Sequence, residues 1–168
     1  RSRIILKVPL SIGKHWTLVP RISERLQQEQ PANRTDARVD LGFSGGNISV
    51  NCRINAVCCR NLAALGYLEA GYKGERFFVW GRGTVFLVDD WEDRIYCYER
   101  DAPGNFSVPA YYGRGWNLGL YCGGIFPLKG TRGRLRVWVR GFMREYPWMK
   151  EKEKPGSSGL KLQISLDL

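Results

Sequence analysis

The sequence predicts an α+β fold: a single domain in which an antiparallel β-sheet of about five to seven strands packs with one or two helices. Three observations lead there. Segments such as "NISVNCRIN" (47–55) alternate apolar and polar residues at period two, the mark of half-buried strands. The segment "AVCCRNLAALGYLEAG" (56–71) instead repeats Cys58, Leu62, Leu65 and Leu68 at helical spacing. Strand-like segments also follow one another without the strand–helix alternation of a parallel sheet.

Taken in order, "RIILKVPLSI" (3–12) is extended by composition, and Pro9 confines it to an arm or an edge strand. "TLVPRISERLQQEQ" (17–30) predicts a weak helix, with Pro20 suited to a first turn and a thin apolar face of Val19, Ile22 and Leu26. A polar linker to residue 38 completes an N-terminal arm (1–38), and the globular domain is expected over 39–168. In the segment 47–55, Ile48, Val50, Cys52 and Ile54 share one face, and Ser49, Asn51 and Arg53 the other. Asn55 can cap the helix that follows, and Gly71 sits where that helix would end.

"RFFVWGRGTVFLV" (76–88) predicts two strands around a Gly-Arg-Gly turn. The acidic turn 89–93, a short strand "RIYCYE" (94–99) and a loop come next. A strand from Trp116 to Tyr121 is expected to break at Gly123 and Gly124, and its glycines to serve sheet bends and close packing rather than phosphate binding. After the loop 150–159, the closing strand "LKLQISL" (160–166) is expected to turn Leu160, Leu162, Ile164 and Leu166 inward.

The formal net charge is +10 and is unevenly placed. Residues 1–60 carry 10 basic and 4 acidic groups, 61–110 carry 5 and 8, and 111–168 carry 11 and 4. Two basic ends around an acidic waist imply an anionic partner and permit complementary self-contacts. Five cysteines without a C-x-x-C pair, and the single His15, favour buried thiols in a reducing compartment over disulfides or a zinc site. No apolar run approaches the roughly 20 residues of a membrane-spanning helix. No P-loop, G-x-S-x-G or H-E-x-x-H motif is present, so no enzyme, cofactor or metal is expected.

The clearest functional pattern is "RGRLRVWVR" (132–140). Period two places Arg132, Arg134, Arg136, Trp138 and Arg140 on one face, with Leu135, Val137 and Val139 opposite. With the apolar face toward a core, the arginines would meet solvent and bind phosphates of lipid or nucleic acid. Lys150, Lys152 and Lys154 extend this basic surface.

In these elements the chain resembles the matrix proteins of rhabdoviruses, compact plant-infecting members in particular. "WNLGLYCGGI" followed by "RLRVWVR" is similar to the family's aromatic-Asn-aliphatic-Gly-Leu-Tyr strand and its successor. "NISVNCRIN", the helix to Gly71, "GYKGERFFVW" and "KEKPGSSGLKLQISL" resemble further family elements in the same order. The resemblance implies a non-catalytic virion protein beneath the envelope, in host cytoplasm and on cytoplasmic membrane faces. Its partners would be further copies of itself, the viral nucleocapsid, the anionic inner leaflet, the glycoprotein tail and RNA, and it would support assembly and budding. The residues expected to form a self-association arm are Arg3, Ile4, Ile5, Leu6, Lys7, Val8, Pro9 and Leu10. The lack of P-P-x-Y and P-[ST]-A-P motifs departs from the late-domain pattern. The other reading is a basic RNA-binding protein such as a viral silencing suppressor, stacking bases on aromatics beside the arginines.

Overall fold

A computed structural model describes residues 2–26, 33–128, 133–149 and 155–167 of the chain. Within them the protein is built from twelve strands: β1 (Ser2–Lys7), β2 (Leu10–Ile12), β3 (Trp16–Leu26), β4 (Arg34–Gly45), β5 (Ile48–Cys58), β6 (Leu62–Lys73), β7 (Phe77–Val88), β8 (Ile95–Tyr96), β9 (Ala110–Tyr111), β10 (Gly113–Pro127), β11 (Arg134–Glu145) and β12 (Ser157–Asp167). The helical content among the described residues is one short 3-10 turn, Trp91–Asp93.

Ten strands form one antiparallel sheet in the order β1-β3-β4-β5-β6-β7-β10-β11-β12, with β2 also paired to β3. β1 and β2 share a single lane along β3, interrupted at Pro9, which has no N–H for the ladder. The sheet is thus a meander whose edges are the β1/β2 lane and β12. Between β7 and β10 the chain leaves the sheet for residues 89–112. This excursion, which we call the plug, holds the 3-10 turn and the small β8–β9 hairpin.

Several expectations are corrected. The fold is not α+β, because both segments expected to be helical are strands over their described residues, 27–30 of the first lying outside these. Residues 17–26 lie in β3, and the segment 56–71 is the β5–β6 hairpin. The leucine spacing that suggests a helix is coincidental with a period-two pattern: Leu62, Ala64, Leu68 and Ala70 share one face, and Ala63, Leu65, Tyr67 and Glu69 the other. Intrinsic preferences of Ala and Leu for helix amount to tenths of a kcal/mol per residue, and pairing on both sides overrides them. "FFVWGRGTVFLV" is one strand, not two around a turn, with Arg82 at its centre facing Glu69 of β6.

β10 likewise runs through the Gly123–Gly124 pair without a break, for 15 residues. Its glycines do serve close packing. A Cβ on Gly115 would lie 2.0 Å from the Glu145 carbonyl oxygen, and one on Gly123 would lie 2.5 Å from that of Val137. Here β10 and β11 approach too closely for a side chain.

The compact apolar cluster is small and one-sided. Val57, Ala63, Leu65, Phe86 and Val88 of β5–β7 pack with Ile95, Cys97 and Tyr111 of the plug. The plug therefore defines which face of the sheet is inside.

Candidate functional site

Beyond this apolar cluster, the inner face is polar and charged. Reading across the ladder at one level gives Asp40, Arg53, Tyr67, Thr84, Asn117 and Arg144; the next level gives Asn51, Glu69, Arg82 and Phe142. The acidic plug docks onto this basic face, so the charge asymmetry along the chain is realised as an internal contact. Glu69, 3% exposed, accepts from Arg82 Nε at 2.9 Å and from Arg100 Nε at 3.0 Å, while Arg100 stacks 3.5 Å from the Trp80 ring centroid. Glu99 accepts from the Tyr111 hydroxyl and pairs with Arg140, and Arg144 lies 3.8 Å away. Asp101 pairs with Arg140 at 3.0 Å and Lys161 at 3.1 Å. At the other end of the plug, the fully buried Asp93 accepts backbone N–H groups of Cys59 (2.7 Å), Arg60 (3.1 Å) and Asn61 (2.8 Å), closing the β5–β6 turn.

These contacts set the ionisation of the plug. Burial pushes Asp101 up, but the Ala102 N–H and the Lys161 and Arg140 cations outweigh it and hold the carboxyl below the usual range. Burial, followed by the Glu99 carboxylate, pushes the Tyr111 phenol up. Burial also raises the Cys97 thiol, against the pull of Arg82 and Arg53.

Between β1, β3, β4, β5 and plug residues 92–97 lies a cavity of about 420 Å³. Seven arginines line it: Arg3, Arg21, Arg25, Arg34, Arg38, Arg53 and Arg94. Among the described residues, the carboxylates in its wall are Asp36 and Glu92.

The outer face has the opposite character. Its central level runs Leu10, Leu18, Leu41, Cys52, Leu68, Gly83, Leu118 and Met143 across eight lanes. Ile54 is 66% exposed, Leu118 54% and Leu160 80%. Among the described residues, the charged side chains on this face of the strands are Glu24, Arg114 and Glu145, all near the end where the plug departs. Toward the opposite end, beside the β2–β3, β4–β5 and β6–β7 turns, the face carries Trp16, Phe43, Tyr72, Phe77 and Phe126. Trp16 and Phe43 rings sit 4.9 Å apart, and Tyr72 and Phe77 rings 5.3 Å apart.

The predicted site residues separate in this arrangement. Arg132, Lys150, Lys152 and Lys154 lie outside the described residues. Arg134, Arg136, Trp138 and Arg140 do share a face of β11, but it is the inner one. Arg140 is committed to Glu99 and Asp101, and Arg136 pairs with Asp167 at 2.6 Å. Leu160, Leu162, Ile164 and Leu166, expected inward, point outward and are 53–80% exposed. Residues Arg3–Lys7 and Leu10 of the expected arm lie in β1 and β2 on the sheet of their own chain, with Val8 and Pro9 between.

The seven-arginine cavity escapes a reading strand by strand, because no single strand holds more than two of its cations. The signal was the alternation in "RTDARVDLGF" (34–43) and "RISER" (21–25), visible once these segments are paired as strands.

No family model matches this chain, and neither a curated protein nor a solved structure does so.

Proposed function

We propose that this chain is an integral membrane β-sheet protein, whose apolar outer face meets lipid and whose polar inner face lines a lumen filled by the plug. The observation that carries the reading is the inverted polarity of the sheet. A soluble β-domain turns its apolar face to a core and its charges to water; here the face with most of the charges is the covered one, over a single small apolar cluster, and the more apolar face is bare. Exposed large apolar side chains stand on that face of all ten strands of the sheet, from Ile4 on β1 to Leu160 on β12, rather than singly as on an ordinary soluble surface.

Three further features support lipid as the covering medium. β3 to β7 and β10 to β12 are each 11 to 15 residues long, enough for the roughly 9–11 residues a tilted strand needs to cross the hydrocarbon layer. The alternation is apolar outward and polar inward, with aromatic residues toward a turn-bearing end, the pattern of transmembrane barrels. The three outward charges all lie on the plug side of the central level. No helix among the described residues is long and apolar enough to cross a membrane, a criterion that does not bear on strands.

Lipid also sets a requirement. An open sheet edge in hydrocarbon leaves backbone groups unpaired at several kcal/mol each, so the β1/β2 and β12 edges must be paired in the membrane. The nine-lane meander makes these two edges run in the same direction, so joining them to each other would form a parallel pair.

The test is extraction. Expressed with membranes, the chain is expected to stay in the pellet through high salt and then urea, and to leave only with detergent. Release by salt or urea would overturn the proposal. It would favour the second reading, the peripheral matrix role implied by the resemblance, which the basic residues Lys14, Lys73 and Arg76 at the turn-bearing end also suit.

A further inference from the structure

The arginine-lined cavity has more positive charge than its own walls neutralise. Arg53 and Arg38 share Asp40, the latter at 2.8 Å. Arg34 is held by two carbonyl oxygens of the plug, those of Glu92 at 2.7 Å and Arg94 at 2.8 Å, which fix its position without cancelling its charge. Arg94 donates to the Trp91 carbonyl and the Tyr96 hydroxyl, both at 2.8 Å. Arg3, Arg21 and Arg25 have no carboxylate partner among the described residues, and the Arg21 Nε is buried without any hydrogen-bond acceptor. A buried donor left unmade costs about 1–3 kcal/mol, and clustered like charges add to that cost.

An anion in the cavity would remove both penalties. Guanidinium forks match tetrahedral oxyanions in pairs of parallel N–H···O bonds. Among the described residues seven cations stand against two wall carboxylates and the Asp40 that Arg38 and Arg53 share, so the balance calls for a multiply charged occupant. We propose that this cavity binds a phosphate-bearing molecule of at least two negative charges, gripped by Arg21, Arg25 and Arg38 from the sheet and by Arg94 from the plug. The inference rests on the inner face and is independent of what covers the outer one.

The test uses the full chain, kept monodisperse in a non-ionic detergent, with two probes: inorganic pyrophosphate titrated from solution, and phosphatidic acid included in the micelle. Saturable binding of either probe, weakened tenfold or more in Arg21→Gln/Arg25→Gln and unchanged in Arg76→Gln at the β6–β7 turn, is the expected result. Pyrophosphate binding would identify a free phosphate compound, and response to phosphatidic acid alone a lipid headgroup. Circular dichroism checks that the sheet survives, and the single Arg25→Gln, at a half-buried side chain, serves if the pair does not fold. Failure of the wild-type chain to bind either probe, or equal binding by wild type and the arginine variants, would overturn the proposal.

Discussion

Single residues on the inner face carry disproportionate weight because charge there has little water to fall back on. Glu69 is the clearest case: one carboxylate, 3% exposed, serves Arg82 and Arg100 together. Removing one member of a buried ion pair costs about 3–5 kcal/mol, since the partner is left charged and unpaired. Glu69→Gln is therefore expected to lower stability by about that amount in equilibrium urea unfolding. A loss within about 0.5 kcal/mol, typical of a surface substitution, would mean that water reaches both arginines. Asp93 acts differently, accepting three backbone N–H groups of the β5–β6 turn and fixing where the plug begins its path.

Among elements, the plug is held by ion pairs as well as by the apolar packing of Ile95, Cys97 and Tyr111, and the ion-paired part of its docking should follow pH. Asp101 is held below its ordinary range, so its carboxylate favours the docked state above the unfolded value of about 3.9, and that contribution disappears as pH falls through the lower docked value. Tyr111 is raised, so its contribution is complete below about 10 and disappears as pH climbs toward the higher docked value. Limited proteolysis within 89–112 is expected to be slow at neutral pH and to accelerate at both extremes. Protection that persists in acid would show that Asp101 does not hold the plug.

The plug also marks the boundary of what the sequence made legible. Alternation in "NISVNCRIN" and "RLRVWVR" gave the strands, and the acidic waist between basic ends foreshadowed the docking of Glu99 and Asp101 on Arg140 and Lys161. Inside and outside were not legible. Period two assigns Leu160, Leu162, Ile164 and Leu166 to one face but does not say that this face is bare. The usual assumption that apolar means inward then reverses the sheet. The helix expected at 56–71 failed because Ala-Leu composition is neutral once neighbours pair on both sides.

At the scale of the molecule, the outer face behaves as a single surface whose solvent decides its energetics. Leu118→Arg, at the central level of that face, separates the two cases. In lipid a midplane arginine on a strand costs about 2–4 kcal/mol; on a water-exposed sheet the same change stays within about 0.5 kcal/mol. Folding into lipid vesicles is expected to show the larger penalty.

The most direct measurement uses a cysteine that the protein already has at that level. Cys52 lies between Leu41 and Leu68 on the outer face, so a chain embedded in lipid keeps its thiol from water but open to the bilayer. In intact vesicles, Cys52 should react with a membrane-soluble maleimide and resist a charged, water-soluble one until detergent is added, with sites read by peptide mass spectrometry. Rapid labelling of Cys52 by the charged reagent in intact vesicles would contradict the membrane-embedded sheet.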